Sequence, residues 1–280
     1  MRMLVTGSGG YIAKGVISQL LQRGHSVIAV GHGPSGLSDA NLTEIIGDIF
    51  DFDFGDTRLF PDVIVHLAWR DGFNHQALSH LEDLPKHYGF LQRAVQAGVP
   101  HIAVMGTMHE VGYWEGEVDD STPCNPTTPY AVAKNALRQL FLNMAKEKDI
   151  CCQWLRGFYL CSDDGRGNSI FSKLVNSAKA GENSFPFTTG LCQYDFLSYD
   201  EFCLQVASVV TQEKVSGIIN VCSGSPIALK DYVEDFIKRN ELGLTLEYGK
   251  YPDRPYDSPA IWGSAKKITT ILDCEYINSQ

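Results

Sequence analysis

"MLVTGSGGYIAKGVISQLLQRGHSVIAVGHG", residues 3–33, reads as strand, glycine turn, helix and strand in succession. Met3 to Val5 is a short apolar run, Ile12 to Leu21 repeats apolar residues at helical spacing, and Ser26 to Val30 is a second β-rich run. Gly7, Gly10 and Ala13 stand between the first run and the second as G-x-x-G-x-x-A. Gly7 permits the tight turn, Gly10 lets a pyrophosphate approach the backbone, and Ala13 is small enough for the helix to pack on the strand, with the anion at the helix N-terminus. A glycine pattern alone is weak evidence. Inside a strand–helix–strand unit of about 30 residues it marks a dinucleotide cradle. The expected fold class is therefore α/β, a Rossmann-type doubly wound parallel sheet.

The end of the second strand bears on the choice of dinucleotide. An acidic side chain there accepts bonds from a ribose 2′-hydroxyl and repels a 2′-phosphate. Gly31 holds that place, followed by His32, Gly33, Pro34 and Ser35. Nothing in this stretch excludes the phosphate, and His32 and the Ser35 hydroxyl are the candidates to hold it. NADP(H) is expected in preference to NAD(H).

Further along, "LTEIIGDIFD" gives a third strand ending at Gly47-Asp48, and "PDVIVHLAWRDG" a fourth from Val63 to Leu67, opening at Ala68. Asp48 suits an adenine amino group and equally suits a surface turn. Trp69, Arg70 and Asp71 follow at the carboxyl edge, where open parallel sheets bind ligands. A loop salt bridge explains Arg70 and Asp71 as well. A helix is expected from about Leu84 to Ala97, interrupted early by Pro85, and then the strand His101 to Met105, which delivers Thr107. A hydroxyl there is placed to hydrogen-bond a carbonyl substrate. Met108, His109 and Glu110 follow it, the last two being either site or turn residues.

A Pro-rich loop leads into "TPYAVAKNALRQLF", a helix running to about Lys148. Tyr130 and Lys134 are four residues apart and share one face of it. An ammonium fixed beside a phenol lowers its pKa from about 10 and makes it a usable acid. After the strand "ICCQWLRGFYL" come a helix from Ser169 to Ala180, an irregular stretch, a helix from Tyr199, the strand "GIINVCSG", a helix from Leu229 to Asn240, the strand "LEYGK" and a polar tail. Residues 1–160, completed by about 196–224, are expected to form the dinucleotide domain. Residues 161–195 and 225–280 would form a smaller, interleaved substrate lobe.

Composition narrows the partners. The 280 residues carry 44% hydrophobic and 20% charged side chains, a globular balance with ample core. A formal charge of −10 argues against nucleic acid and anionic membranes. No run approaches the roughly 20 apolar residues of a membrane span, and Met1-Arg2 leads straight into a strand, so a cytoplasmic protein is expected. The eight cysteines show no C-x-x-C spacing and read as reduced core thiols, with no metal site.

Taken together, these stretches resemble the extended short-chain dehydrogenase/reductase family of nucleotide-sugar epimerases, dehydratases and ketoreductases. The resemblance covers nearly the whole chain. It rests on "TGSGGYIA", "GDIFD", "HLA", "PYAVAK" and "QYDFLSYDEF" in the family's order. It implies that Gly7, Ser8, Gly10, Tyr11 and Ile12 line the pyrophosphate, Asp48 and Ile49 the adenine, Ala68 the ribose side, and Tyr159 and Leu160 the nicotinamide. It further implies that Thr107 binds the substrate oxygen, that Tyr130 transfers the proton, and that Lys134 holds the nicotinamide ribose and tunes Tyr130. Aligning on Val111 would place Met108 at the hydroxyl position, and a thioether cannot donate a hydrogen bond. In the lobe, Gln193 keeps its place, while Tyr194 stands where the family usually has an Arg for the diphosphate. Arg254 and Lys173 are the remaining cations.

Three reactions compete within this resemblance. The family's dehydratases carry adjacent Asp-Glu after the Thr, whereas Met108 and His109 intervene here before Glu110. Its 4-epimerases usually have an acidic second-strand end, which Gly31 denies. Reduction of a dTDP- or CDP-linked 4-keto-6-deoxysugar for surface polysaccharide is then the expected reaction, with Trp69, Thr107, His109, Gln193 and Arg254 toward the sugar. An NAD-dependent nucleotide-sugar epimerase is the alternative enzyme, and a dinucleotide-sensing binding protein the non-enzymatic one. The resemblance also implies a homodimer pairing through the Tyr-Lys helix and the helix before it, with Ala131, Leu137, Leu140, Phe141 and Met144 offering apolar surface both to the sheet and to a partner.

Overall fold

The structure, a computed structural model, describes residues 1–161, 169–253 and 258–278. In chain order the first elements are β1 (Arg2–Thr6), α1 (Tyr11–Gln22), β2 (Ser26–Gly31), β3 (Leu42–Ile46), β4 (Val63–His66), α2 (Ser79–Gln96), β5 (His101–Met105), β6 (Gly116–Val118) and α3 (Pro129–Lys148). They continue with β7 (Cys151–Gly157), β8 (Tyr159–Cys161), α4 (Ile170–Lys179), β9 (Ser184–Pro186), β10 (Gln193–Ser198), α5 (Tyr199–Val210) and β11 (Gly217–Val221). The last are β12 (Pro226–Ala228), α6 (Leu229–Arg239), β13 (Thr245–Glu247), β14 (Ala260–Gly263) and α7 (Lys266–Asn278).

Seven strands form one sheet in the order β11-β7-β5-β4-β1-β2-β3, every pair parallel. Such a sheet must be covered on both faces, and its inner strands β1, β2, β4 and β5 are accordingly mostly apolar and buried, while the edge strand β3 is largely open. In β1 the period of two sends Met3 and Val5 to one face and Leu4 to the other, all at 0% exposure. Met3 and Val5 meet Val16, Ile17 and Leu20 of α1 and Val206 of α5; Leu4 meets Phe90 and Leu91 of α2 and Leu137 and Phe141 of α3. The Rossmann-type doubly wound sheet expected from the sequence is the fold observed. The strand order reverses between β1 and β4, which opens a crevice at their carboxyl ends.

A second sheet runs β12-β10-β14-β6, with β8 also paired to β10, and β13 pairs β9. A third core of Phe171, Leu174, Phe187, Phe196, Val233 and Phe236 fills the space between α4, α6 and β10. Asp195 of β10, fully buried, accepts from the backbone N–H groups of Ser223, Gly224 and Gly263 and from the Ser223 hydroxyl. It stitches the second sheet to the loop after β11.

Three expectations are corrected here. α2 begins at Ser79 and carries Pro85 inside it; the bond that a proline cannot donate falls on the carbonyl of Leu81, a residue on the exposed side of the helix. The loop before α3 contains the strand β6, paired with β14. The polar tail is strand and helix: Ile268 and Ile271 of α7 lie in the core at 1% and 4% exposure, and Glu275 pairs with Arg23 at 3.0 Å.

Candidate active site

The glycine turn after β1 is built for a close approach. Gly7 has φ +77°, and a Cβ on it would stand 2.9 Å from the Ala68 Cα at the end of β4. A side chain here would be strained and obstructed. α1 starts at Tyr11 with Gly10 as N-cap, no side chain capping it and no acidic residue in its first turn. Its unsatisfied N–H groups and positive dipole end are the natural seat of a diphosphate. The residues present therefore fit a dinucleotide. Ser8 is buried and donates to the Gly33 carbonyl at 3.0 Å. Tyr11 meets Tyr199 at 4.2 Å between ring centres, and Ile12 packs on the core below.

At the far end of β2, a Cβ on Gly31 would come within 2.7 Å of the Ser8 hydroxyl, so packing of the turn denies a side chain there. Ser35 is buried, and its N–H and hydroxyl both bond to the Glu44 carboxylate of β3 at 2.6 Å. The hydroxyl expected to hold a 2′-phosphate is thus committed to a carboxylate. His32 is exposed. Asp48 caps a short helical turn by accepting from the Phe50 N–H at 3.0 Å, and Ile49 is buried behind it.

Tyr130 lies in the first turn of α3, whose N-cap is the Thr128 side chain. Burial pushes its phenol up to about 12, against the neighbouring Thr107 hydroxyl, which favours the ionised form. Thr107 itself caps the turn after β5, accepting from the His109 N–H at 3.3 Å. Met108 is buried in the core. Of the two candidates for the hydroxyl position, Thr107 is the one beside Tyr130.

Lys134 departs from the expected arrangement. Its ammonium donates to the Met105 carbonyl at 2.8 Å and lies 3.8 Å from the centre of the Trp69 ring. Burial lowers its pKa to about 7, opposed by the charge of Glu110. Its charge thus serves the end of β5 and the Trp69 face, and desolvation governs Tyr130.

Beneath Trp69 is a chain of buried polar groups. The Thr6 hydroxyl accepts from the N–H groups of Leu67 and Ala68, which leaves its proton for His66 Nδ1 at 2.9 Å. His66 Nε2 then donates to His87 Nδ1 at 2.9 Å, and the His87 ring stacks on Trp69 at 4.4 Å. Burial, with the nearby Lys134 charge, holds His87 at about 3 and His66 well below the ordinary range, so both rings are neutral. Above, the His75 ring stacks on Tyr130 at 4.7 Å, and His109, brought to about 4 by burial, meets His75 edge-on at 4.6 Å.

Glu110 is a structural residue. Fully buried, it accepts from Arg156 Nε at 2.7 Å and from Trp154 Nε1 at 3.0 Å. Arg70 pairs chiefly with Asp83 at 2.9 Å, with Asp71 at 4.0 Å. On the lobe side, Tyr159 meets Tyr194 at 4.8 Å and His109 at 6.3 Å, while Leu160 is half-buried and the Gln193 side chain exposed. Lys173 is exposed, and Arg254 lies outside the described residues. Sequence reasoning missed His66, His75, His80 and His87. The available signal was density: six of the eight histidines fall between residues 66 and 109.

Comparison with known proteins places the chain in a family. The model of the "NAD dependent epimerase/dehydratase family" matches residues 3–222. The dTDP-6-deoxy-L-talose 4-dehydrogenase (NAD(+)) of Aggregatibacter actinomycetemcomitans is 41% identical over 272 residues, 94% of this chain and 100% of that one. The UDP-glucose 4-epimerase of Halalkalibacterium halodurans is 22% identical, over 98% of this chain and 90% of its own. Among solved structures, MoeE5 with UDP-glucuronic acid and NAD superposes with a TM-score of 0.81 at 23% identity, covering 98% of this chain and 93% of that one. The UDP-glucose 4-epimerase of Thermus thermophilus, in complex with NAD, gives 0.78 at 19%, covering 96% and 92%. The expectation of NADP(H) is therefore corrected. The dehydrogenase is named for NAD(+) and both solved structures hold NAD; on this chain Glu44, a carboxylate beside the second strand that engages Ser35, would repel a 2′-phosphate.

Proposed function

The chain belongs to the NAD dependent epimerase/dehydratase family, whose model spans residues 3–222, and from that membership we propose that it transfers hydride between NAD(H) and C4 of a dTDP-linked 6-deoxyhexose. In the reducing direction the 4-keto sugar, NADH and a proton give the 4-hydroxy sugar and NAD⁺. The observation that carries this reading is a buried Tyr130 with Thr107 beside it at the crevice next to the Gly7 turn, in a chain matching a dTDP-deoxysugar 4-dehydrogenase over that protein's full length.

The pyrophosphate would be held by Gly7, Ser8, Gly10, Tyr11 and Ile12 at the N-terminus of α1, with Asp48 and Ile49 toward the adenine and Ala68, Tyr159 and Leu160 toward the nicotinamide ribose and ring. When bound, NADH supplies the hydride. Tyr130 gives its proton to the C4 oxygen as charge develops there, and the Thr107 hydroxyl holds that oxygen in place. A phenol held protonated by burial is suited to donating. Lys134 would hold the nicotinamide ribose from beneath the site, carrying its charge only below about neutrality. Glu110, tied to Arg156 and Trp154, is not free to abstract the proton that a dehydration requires. Trp69, His109 and Gln193 would face the sugar.

The protein would act as a cytoplasmic homodimer. Val132 and Leu140 of α3 and Leu78 and Leu81 beside and on α2 are exposed at 43%, 42%, 68% and 45%. Ala131, Leu137 and Phe141 are spent on the protein's own core.

The test is NADH oxidation with dTDP-, CDP- and UDP-linked 4-keto sugars, and NAD⁺ reduction with the 4-hydroxy products, beside Tyr130→Phe. Turnover confined to dTDP-6-deoxyhexoses and lost in the variant supports the proposal. Isomerisation of a UDP-sugar at catalytic NAD, with no net change in nicotinamide, would replace it with the epimerase. Stoichiometric NAD binding without turnover of any sugar would point to a sensor.

A further inference from the structure

The segment between β4 and α2, "WRDGFNHQALSH" from Trp69 to His80, is folded as a braced loop. Trp69 Nε1 donates to His80 Nδ1 at 3.0 Å, so His80 carries its proton on Nε2 and donates it to the Asn74 carbonyl at 2.8 Å. His80 is 1% exposed. Asp71 adopts the left-handed backbone at φ +57° and accepts from the Ser79 hydroxyl at 2.6 Å, closing the loop base on the start of α2. The Asn74 N–H returns to the Asp71 carbonyl at 2.8 Å and the Ala77 N–H to Asn74 at 3.0 Å. These bonds fix the peptide on both sides of one residue, His75.

His75 makes two contacts with Tyr130. Its carbonyl accepts from the Tyr130 N–H at 3.1 Å, satisfying one of the donors that the first turn of a helix leaves without an intrahelical partner. Its ring lies on the phenol ring at 4.7 Å between centres and 13° between planes. Trp69 and His80 meet the same phenol edge-on at 6.3 and 5.2 Å. The imidazole also meets the ring of His109, two residues past Thr107, at 4.6 Å.

We propose that His75 is a positioning residue for Tyr130: the braced loop uses its carbonyl to anchor the backbone of Tyr130 and its ring to hold the phenol in one orientation toward Thr107. Burial keeps the imidazole neutral in support of this, since a flat uncharged ring stacks without drawing the phenol toward ionisation. The hydroxyl then meets a substrate oxygen without a search over ring orientations, and a misplacement of about 1 Å costs roughly 10²-fold in rate. In its kinetic part this inference rests on the reductase reading; in its structural part it does not.

The variants are His75→Ala, His75→Phe, which keeps a flat ring, and Gln76→Ala as an exposed neighbour on the same loop. Steady-state rates on the dTDP-4-keto sugar are expected to fall at least tenfold in kcat for His75→Ala, with KM and NADH affinity within about twofold. His75→Phe recovers most of the loss, and Gln76→Ala is unchanged. Independently of turnover, a fluorotyrosine placed at position 130 and followed by fluorine NMR should resonate far from the free amino acid in the wild type and in His75→Phe, and move toward it in His75→Ala. Absence of turnover in the wild type with this spectral pattern intact would overturn the reductase and leave the positioning role. A His75→Ala protein with the wild-type spectrum and rate, or a His75→Phe protein as impaired as His75→Ala, would overturn the positioning role itself.

Discussion

The Lys134 ammonium lies 3.8 Å from the centre of the Trp69 ring. That cation rests on the indole face and donates to the Met105 carbonyl at 2.8 Å, yet burial still brings its pKa down to about 7. The folded protein sheds this proton near neutrality, while the unfolded chain keeps it to about 10.4. Between those values the unfolded state binds more protons, so this group makes stability rise with pH. Urea midpoints from pH 6 to 9.5 should show a steeper upward slope for the wild type than for Lys134→Met. Parallel profiles would mean that the ammonium is better solvated than its burial implies.

Tyr130 predicts a second pH signature. With the phenol pushed up to about 12, it stays protonated throughout the working range and imposes no basic limb on reduction below pH 10. Any limb near pH 7 in kcat belongs to Lys134, and should vanish in Lys134→Met at a lower plateau. Tyr130→Phe should lose about 10²- to 10⁴-fold in kcat at every pH while binding NADH as before. Stopped-flow hydride transfer across pH 6–10 decides this, and a limb that stays near 7 in Lys134→Met would reassign it.

How far the sequence carried these conclusions depended on how local each signal is. The parallel sheet was legible because its inner strands, buried on both faces, are short and mostly apolar runs, and the glycine turn because its small residues recur at a fixed spacing between strand and helix. Helical spacing put Tyr130 and Lys134 on one face, and the surrounding motifs in the family's order singled the pair out. Their ionisation was not legible, since desolvation depends on what closes over them, and Trp69 comes from a loop some 60 residues earlier. The Ser35 and Glu44 contact was hidden because it needs β3 to lie beside β2. Glu110 looked like a site residue until Arg156, 46 positions on, was found against it. α7 was missed because only Ile268 and Ile271 of its 13 residues are counted in the buried core, too few to impose a pattern.

Glu44 makes the choice of dinucleotide testable on one residue. Its carboxylate takes both the N–H and the hydroxyl of Ser35, which lower its pKa and keep it ionised. The wild type should favour NADH over NADPH in kcat/KM. Glu44→Lys frees Ser35 and replaces repulsion of a 2′-phosphate with attraction, so the ratio should swing toward NADPH, mainly through KM. An unchanged ratio would place the 2′-position of the ribose away from Glu44.

Glu110 and Arg156 test whether the site's only fully buried ion pair among the described residues is structural. Both are at 0% exposure, joined at 2.7 Å, with Trp154 donating to the same carboxylate and Asp119 taking the other end of the guanidinium at 2.7 Å through its carbonyl. Removing one member leaves its partner charged in the dry interior, a loss of about 3–5 kcal/mol. Glu110→Gln, which keeps the shape but not the charge, should shift the urea midpoint down accordingly. Below the new midpoint its kcat should stay within a few-fold of the wild type, because the carboxylate reaches the chemistry only indirectly, through its field at Tyr130 and Lys134. A Glu110→Gln protein as stable as the wild type but without activity would instead make Glu110 a participant in proton transfer, and would reopen the dehydration that its burial argues against.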